Sequence, residues 1–252
     1  VLLHDFLVAV GYTNFENYIP HRHSEGYGLN VAAIETLAQR GAELIITVDC
    51  GITDVVPTAR ARAAGIDVII TDHHEVGLEL PDAYAILNPK RDDVYPFKGL
   101  CGTGVAWKLV QGLIARGTES GQFDLKVGAE KWFLDVVGIA TIADRVPLID
   151  ENRTLAHFGL KVLRKTRRPG LQHLFRATRI AQKNLTEDDI GFTIGPRINA
   201  ASRMDTPEDA FQMLATKDEH VAGTRARHLE TLNNARKGDV SARGQDVQKR
   251  IT

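Results

Sequence analysis

The chain has 252 residues, 43% of them hydrophobic, and its 31 basic side chains nearly balance its 32 acidic ones, for a net charge of −1. This composition allows a substantial buried core, and no apolar run approaches the ~20 residues that a membrane span needs. The only cysteines, Cys50 and Cys101, exclude a disulfide framework and are typical of a reducing cytoplasm. With so little net charge, any site for a polyanion must be local.

Helices and strands are predicted to alternate over the first half of the chain. The predicted elements are a helix over 2–10, a short strand over 18–20, a loop over 21–28, a helix over 31–40 between Asn30 and Gly41, a strand over 44–48, a helix over 54–64, a strand over 68–71, a strand over 83–87 and a helix over 105–115. Strands joined by single-helix crossovers indicate an α/β fold with a doubly wound, mostly parallel sheet flanked by helices.

From about residue 128 the pattern becomes mainly helical. The predicted helices are 129–143, 151–165, 170–178, 206–216 and a polar stretch from 218 to the end. We therefore expect one domain over 1–217, with an α/β part to about 127, followed by the start of a connecting helix over 218–252. Four basic residues would share one helical face if the helix over 151–165 continued: Lys161, Arg164, Lys165 and Arg168. Such a stripe is most often a solvated face, and contact with phosphate is the alternative.

Two consecutive predicted strands end in acidic and imidazole side chains. Asp49 follows the first strand, and Asp72, His73 and His74 follow the second. Because parallel strands bring their carboxyl ends to the same edge of a sheet, where open α/β sheets bind ligands, we expect these side chains to lie together. Alternation along the chain favours Asp72 and His74 on one side and His73 on the other. An ordinary polar loop is the alternative for the triplet alone.

A third carboxylate, Asp144, ends an apolar helix that Pro147 prevents from continuing. An aspartate in apolar company must be paired, exposed or bound to a metal, and an ion pair with Arg145 is the ordinary alternative. Clustered carboxylates repel one another without a counter-ion. Carboxylates combined with a neutral imidazole suit Mn²⁺ or Mg²⁺.

Two segments carry side chains suited to phosphate. Arg22 lies in the loop before a predicted helix N-terminus, which is a favourable place for an anion. Tyr27 in the same loop is suited to stacking on a base, or equally to the edge of the core. The segment 195–204 contributes Arg197, Asn199 and Arg203, and arginine binds phosphate through two parallel hydrogen bonds.

These motifs together resemble the DHH phosphoesterase superfamily and, within it, the RecJ group of single-strand-specific 5′→3′ DNA exonucleases. The resemblance runs from about residue 16 to about 236 and rests on the segments 48–51, 71–74, 142–147, 151–153 and 195–204. It implies a cytoplasmic, metal-dependent phosphodiesterase that degrades single-stranded DNA to 5′-mononucleotides in repair and recombination.

The resemblance also implies roles for individual residues. Asp49, His73 and Asp144 would be metal ligands, with Asp49 bridging two Mn²⁺ or Mg²⁺ ions in the intact enzyme. Asp72 would orient the site, and His74 would face the scissile phosphate. The DNA-binding residues would be Arg22, Tyr27, Arg197, Asn199 and Arg203. The implied partners are single-stranded DNA, a single-strand-binding protein and a helicase, with no membrane.

Some features depart from the family pattern. Ser202 stands where glycine is usual, and neither the family's first Asp-x-Asp motif nor its DHH-associated domain is present in the sequence. We therefore expect a catalytic-core fragment that binds at most one metal well and has little nuclease activity. Two alternatives remain open: a phosphoesterase of small molecules or short oligonucleotides, and a non-catalytic DHH-like scaffold.

Overall fold

A computed structural model describes residues 1–91, 94–204 and 206–251, with side chains described as far as residue 239. The chain forms two compact units, one over 2–162 and one over 163–252 together with Val1. Within the described residues, no helix combines the length and the apolar character needed to cross a membrane. The boundary between the units falls inside the predicted helical part, and the single domain over 1–217 stays a prediction.

The first unit contains the sheet and the helices that pack around it. Its elements are α1 (Leu2–Ala9), α2 (Val31–Gln39), β1 (Leu44–Val48), α3 (Val55–Ala63), β2 (Asp67–Thr71), β3 (Ala85–Leu87), α4 (Gly102–Glu119), a 3₁₀ turn (Ala129–Phe133), α5 (Leu134–Ala143) and α6 (Asp150–Leu163). Asn30 caps α2, its side-chain oxygen accepting a hydrogen bond from the backbone N–H of Ala33 at 2.7 Å. The cap satisfies one of the free donors at the start of the helix, as predicted.

The sheet is parallel, with strand order β1-β2-β3, so the predicted α/β class with a parallel sheet is confirmed. Val48 lies opposite Thr71, and Thr71 lies opposite Leu87. The ladder continues one residue past the strands, since Asp49 donates its backbone N–H to Thr71 and Asp72 donates to Leu87. This register aligns the ends of all three strands at one edge.

The core around the sheet is made of aliphatic side chains. Ile34 of α2 and Ala61 of α3 are buried together with β2, whose inward side chains Val68 and Ile70 are almost fully inaccessible. Burial of each such side chain contributes about 1.5–3 kcal/mol relative to exposure. The near-continuous apolar strands therefore form a rigid base for the polar residues that follow them.

The strand predicted over 18–20 is wrong, because these residues have no regular structure. Pro20 cannot donate a ladder hydrogen bond, and Tyr18 instead donates its hydroxyl to the carboxylate of Glu25. The loop predicted over 21–28 is confirmed.

The second unit is helical. Its elements are α7 (Pro169–Thr178), a 3₁₀ turn (Gln182–Asn184), a π-helical turn (Asp189–Ile194), α8 (Gly195–Met204), α9 (Pro207–Ala215) and α10 (Glu219–Ile251). The sequence predicted α7 and α9 but not α8 or the π-helical turn. The predicted connecting segment over 218–252 forms α10, except that Thr252 lies outside the described residues.

The basic stripe predicted near residue 165 does not form. The helix ends at Leu163, and the residue before Pro169 is disfavoured in a helical conformation. Arg164 instead donates its Nε to the carbonyl of Leu185 at 2.8 Å. Arg168 is buried and donates to the carbonyl of Leu214 at 2.6 Å. Both guanidinium groups therefore hold the fold together through backbone carbonyls.

Candidate metal centre

Asp49 is the first polar residue after β1 and has a left-handed backbone, with φ of +65°. This conformation is uncommon for a residue with a side chain. Its backbone N–H is held by Thr71 at 2.9 Å, and its carbonyl accepts a hydrogen bond from the Tyr27 hydroxyl. These bonds on both sides hold the turn that positions the carboxylate.

The Asp49 carboxylate lies directly against Gly102, the first residue of α4. A Cβ at position 102 would stand 2.2 Å from Asp49 Oδ1 and 2.5 Å from its Cγ. These distances are far inside van der Waals contact, so this approach is open to glycine alone. The N-terminus of α4 thus forms one wall of the site.

Asp72 is buried beneath the site and accepts several hydrogen bonds. Its Oδ2 accepts the Ile52 N–H at 3.0 Å, and its Oδ1 accepts the His73 N–H at 2.7 Å. Oδ1 also lies 2.6 Å from His74 Nδ1. Burial by itself raises the pKa of Asp72, but the hydrogen bonds from Ile52, His74 and His73 outweigh it and lower the pKa. Asp72 is therefore an ionised acceptor that holds His74 by its Nδ1–H.

His73 lies beside His74, with the ring centroids 4.5 Å apart, and faces two carboxylates. Its Nε2 lies 3.0 Å from Asp49 Oδ1 and 3.8 Å from Asp144 Oδ2. The Asp49 carboxylate beside Nε2 raises the pKa of His73, burial opposes this, and the charges of Asp144 and Asp72 add to the increase. The predicted separation of His73 from His74 is not observed, because β2 ends at Thr71 and strand alternation does not extend to the triplet.

The donor atoms fit a divalent cation. Asp49 Oδ1 is buried and receives no well-aligned hydrogen bond, although His73 Nε2 is close to it. One ligand atom from each of Asp49, His73 and His74 lies within 4.8 Å of the others. Carboxylate oxygens suit Mn²⁺ and imidazole nitrogens suit first-row transition metals in general, so this donor set is suited to a divalent cation. Asp144, the residue that ends α5, stands at the edge of this group, and its role as a ligand stays a prediction.

Tyr27 lies beside the centre. Its ring packs edge-on against the His74 ring, with the centroids 5.8 Å apart. The residue is 70% exposed, but its hydroxyl is sheltered against Asp49. That burial, followed by the Asp49 charge, raises the pKa of Tyr27 above its usual range. The neutral tyrosine therefore offers an exposed ring face next to the candidate metal ligands.

Arg22 is exposed in the turn over 21–25. Glu25 closes this turn by accepting the His21 N–H at 2.7 Å. The loop that follows is held by Asp54, whose Oδ2 accepts the Leu29 N–H at 2.7 Å. The turn is therefore an ordered support for the Arg22 guanidinium.

The other predicted DNA-binding residues lie in the second unit, on α8. Asn199 and Arg203 are exposed and one helical turn apart. Arg197 is 9% exposed and donates its Nε and Nη2 to the Glu230 carboxylate and its Nη1 to the Thr193 carbonyl. The pairing lowers the pKa of Glu230. Because its guanidinium is already engaged within the fold, the geometry of Arg197 favours a structural role, and contact with DNA stays a prediction.

Asn88 is a residue of the site that sequence reasoning missed. It follows β3 at the same edge of the sheet and donates its Nδ2 to the His74 carbonyl at 3.0 Å. Its Oδ1 accepts the Lys90 N–H at 2.8 Å. The signal was available, since the predicted third strand also ends in a polar residue at the shared edge.

Comparison with known proteins connects this geometry to one family. The model of the DHH family, N-terminal domain, matches residues 1–141. The single-stranded-DNA-specific exonuclease RecJ of Bacillus subtilis (strain 168) is 41% identical over 242 residues, which are 96% of this chain and 29% of that protein. RecJ of Escherichia coli (strain K12) is 40% identical over 235 residues, which are 91% of this chain and 41% of that protein. The chain thus spans less than half the length of these relatives.

Solved structures show the same relationship. The crystal structure of exonuclease RecJ bound to manganese matches with a TM-score of 0.87 at 30% identity, covering 99% of this chain and 61% of that one. RecJ from Thermus thermophilus in complex with Mn²⁺ matches with a TM-score of 0.82 at 28% identity, covering 97% of this chain and 34% of that one.

Proposed function

The chain belongs to the DHH family, and from that membership we propose that it is the metal-binding core of a single-strand-specific 5′→3′ DNA exonuclease. The observation that carries the proposal is the convergence of Asp49, His73, His74 and Asp144 at one edge of the sheet. The relatives are named for exonuclease activity on single-stranded DNA, and crystal structures of RecJ contain Mn²⁺ or Mg²⁺. We assign the same cations to this chain.

The proposed ligands are Asp49, His73 and Asp144, with His74 close enough to join them. A bound divalent cation stabilises the charge that develops on a phosphodiester and lowers the pKa of a bound water. The protein supplies the shape of the site, since Gly102 and the hydrogen bonds to Asp49 determine where the carboxylate stands.

His74 is proposed to face the scissile phosphate. Its Nδ1 is held by the ionised Asp72, so its Nε2 is the nitrogen available to a ligand or to a phosphate oxygen. Asp72 orients the imidazole through this bond, in the same way that a buried carboxylate orients a catalytic histidine. Asp72 is therefore proposed as a positioning residue and His74 as the catalytic one.

The substrate is proposed to be a DNA single strand with its 5′ end near the centre. The exposed ring of Tyr27 suits a terminal base, and the exposed Arg22 suits a phosphate. Arg197, Asn199 and Arg203 remain the further proposed DNA-binding residues. Repair and recombination in the cytoplasm, with a single-strand-binding protein and a helicase as partners, complete the proposal.

One well-held cation is proposed for this stretch of chain. Among the described residues, Asp49, His73 and His74 are the one group of three potential ligands close enough to hold an ion. A second ion would need further ligands than this group supplies. We therefore expect the nuclease activity of these 252 residues to be very low.

The test measures Mn²⁺ binding by calorimetry and product formation from 5′-phosphorylated single-stranded DNA, duplex DNA and a dinucleotide. We expect Mn²⁺ to bind, His73→Ala to abolish binding, and any product to be mononucleotide from the single strand. Unchanged binding and activity in His73→Ala would refute the ligand assignment. A preference for the dinucleotide would favour the small-molecule phosphoesterase, and robust digestion of the single strand would refute the expected low activity.

A further inference from the structure

Asn152 is a buried cross-link in the first turn of α6. Its relative exposure is 0%, and its Nδ2 donates to the carbonyl of Gly99 at 2.6 Å and to the carbonyl of Pro147 at 3.0 Å. The orientation of the amide follows from these bonds, because the flipped amide would place its oxygen against two other oxygens. The remaining Oδ1 is buried and has no hydrogen-bond partner among the described residues. A buried oxygen without a partner destabilises the fold. The favourable contribution of the Asn152 side chain therefore comes from the two hydrogen bonds that its nitrogen donates.

The two carbonyls belong to the segments that carry the two sides of the metal centre. Gly99 lies three residues before Gly102, whose Cα stands against the Asp49 carboxylate. Pro147 lies three residues after Asp144, whose Oδ2 faces His73. One buried amide therefore joins the wall behind Asp49 to the turn that follows Asp144.

The turn after Asp144 needs such support. Arg145 and Asp150 both have left-handed backbones, with φ of +60° and +48°. Residues with side chains keep this conformation only where the surroundings enforce it. The bond from Asn152 holds the Pro147 carbonyl midway between them, so it restrains the turn at its centre.

The neighbouring residue anchors α6 on the same side. Glu151 accepts hydrogen bonds from Lys108 Nζ at 2.5 Å and from the Tyr95 hydroxyl at 2.6 Å. Lys108 belongs to α4, the helix that begins at Gly102. The first turn of α6 is thus attached to α4 and to the segment before it. These contacts hold the backbone that carries Asn152 in place.

We propose that Asn152 is a positioning residue for the metal centre, which sets the separation between the Asp49 and Asp144 carboxylates through the Gly99 and Pro147 carbonyls. The inference rests on the proposed metal site and goes beyond it, because Asn152 lies in the layer behind the ligands. Supporting groups of this kind commonly change metal affinity about 10-fold to 100-fold when they are removed.

The experiment compares the 252-residue chain with Asn152→Ala, Asn152→Ser and the control Leu155→Ala. Leu155 is buried on the same helix, with 7% exposure, and its truncation weakens packing while both hydrogen bonds of Asn152 are kept. Mn²⁺ affinity is measured from the electron paramagnetic resonance signal of the free ion, and the spectrum of the bound ion reports the symmetry of its ligands. Thermal unfolding in EDTA measures stability without metal.

We expect Asn152→Ala to weaken Mn²⁺ binding by about 10-fold or more and to alter the bound-ion spectrum. Asn152→Ser keeps one donor and should lie between Asn152→Ala and the parent chain. Leu155→Ala should unfold at a lower temperature and bind Mn²⁺ as the parent does. If Asn152→Ala does not unfold cooperatively, the Mn²⁺ affinity of Asn152→Ser is the result that tests the inference.

Two outcomes count against the inference, and they are distinguishable. If the parent chain does not bind Mn²⁺, the proposed metal site itself is refuted. If the parent binds but the Asn152 variants bind equally well, or Leu155→Ala loses as much affinity, the positioning role of Asn152 is refuted while the metal site stands.

Discussion

Replacing Gly102 by alanine tests whether the close approach of α4 to Asp49 shapes the metal centre. The added Cβ would lie 2.2 Å from Asp49 Oδ1, where ordinary contacts begin at 3.4 Å. The carboxylate must therefore retreat by about 1 Å or more, a misplacement that can cost roughly 100-fold where geometry is critical. The left-handed backbone of Asp49 and its hydrogen bonds to Thr71 and Tyr27 leave little freedom to absorb the movement.

We expect Gly102→Ala to weaken Mn²⁺ binding by about 10-fold to 100-fold, measured by calorimetry. The matched control is Gly112→Ala on the same helix, since a Cβ at position 112 has nothing within 4 Å. Alanine is the better helix former by about 0.8–1.0 kcal/mol, so Gly112→Ala should raise the melting temperature and leave Mn²⁺ affinity unchanged. A Gly102→Ala variant that binds Mn²⁺ as tightly as the parent chain would show that the wall at α4 does not determine the ligand geometry.

Two further predictions concern carboxylates that accept hydrogen bonds. Asp72→Asn should destabilise the metal-free protein by about 1–3 kcal/mol or more, because an amide cannot accept all the hydrogen bonds that reach the buried carboxylate. The control Asp144→Asn, at a side chain 42% exposed, should cost much less. Equal losses of stability in chemical denaturation would contradict the assignment of Asp72 as a buried acceptor. Glu230→Gln should cost about 1–2 kcal/mol at neutral pH, because Arg197 lowers the pKa of Glu230 below its ordinary 4.5. The ionised Glu230 therefore stabilises the folded state above pH 4.5, and this contribution is lost as the pH falls through the pKa of the folded state. The unfolding free energies of the parent and the variant should converge in acid. A difference that persists in acid would show that the charge of Glu230 is not its cause.

The placement of the DHH triplet was predictable because its determinants are local. The apolar runs before Asp49 and Asp72 predict parallel strands, and single-helix crossovers bring their ends to one edge. Side-chain alternation did not extend to His73 and His74, whose rings lie 4.5 Å apart, because the strand ends at Thr71. The reasoning about the shared edge, applied to the third strand, would have found Asn88.

The errors came from local patterns that tertiary contacts override. The basic spacing after Lys161 is helical in the sequence, but the helix ends at Leu163 and the arginines turn to backbone carbonyls. For Arg197, whose contact with DNA stays a prediction, the sequence did not show that a glutamate 33 residues away holds its guanidinium. A long basic side chain satisfies its hydrogen bonds wherever the folded chain offers acceptors, and its sequence neighbours do not reveal where that is.

The sequence by itself determined the strands, their shared edge and the candidate ligands, since periodicity and side-chain chemistry act over a few residues. The tertiary structure alone decided how those ligands are held. The fit of Gly102 against Asp49 and the bond from Asn152 to a carbonyl 53 residues away join segments with no common local pattern. Such contacts arise only when the core has packed, because close packing determines which distant backbones meet.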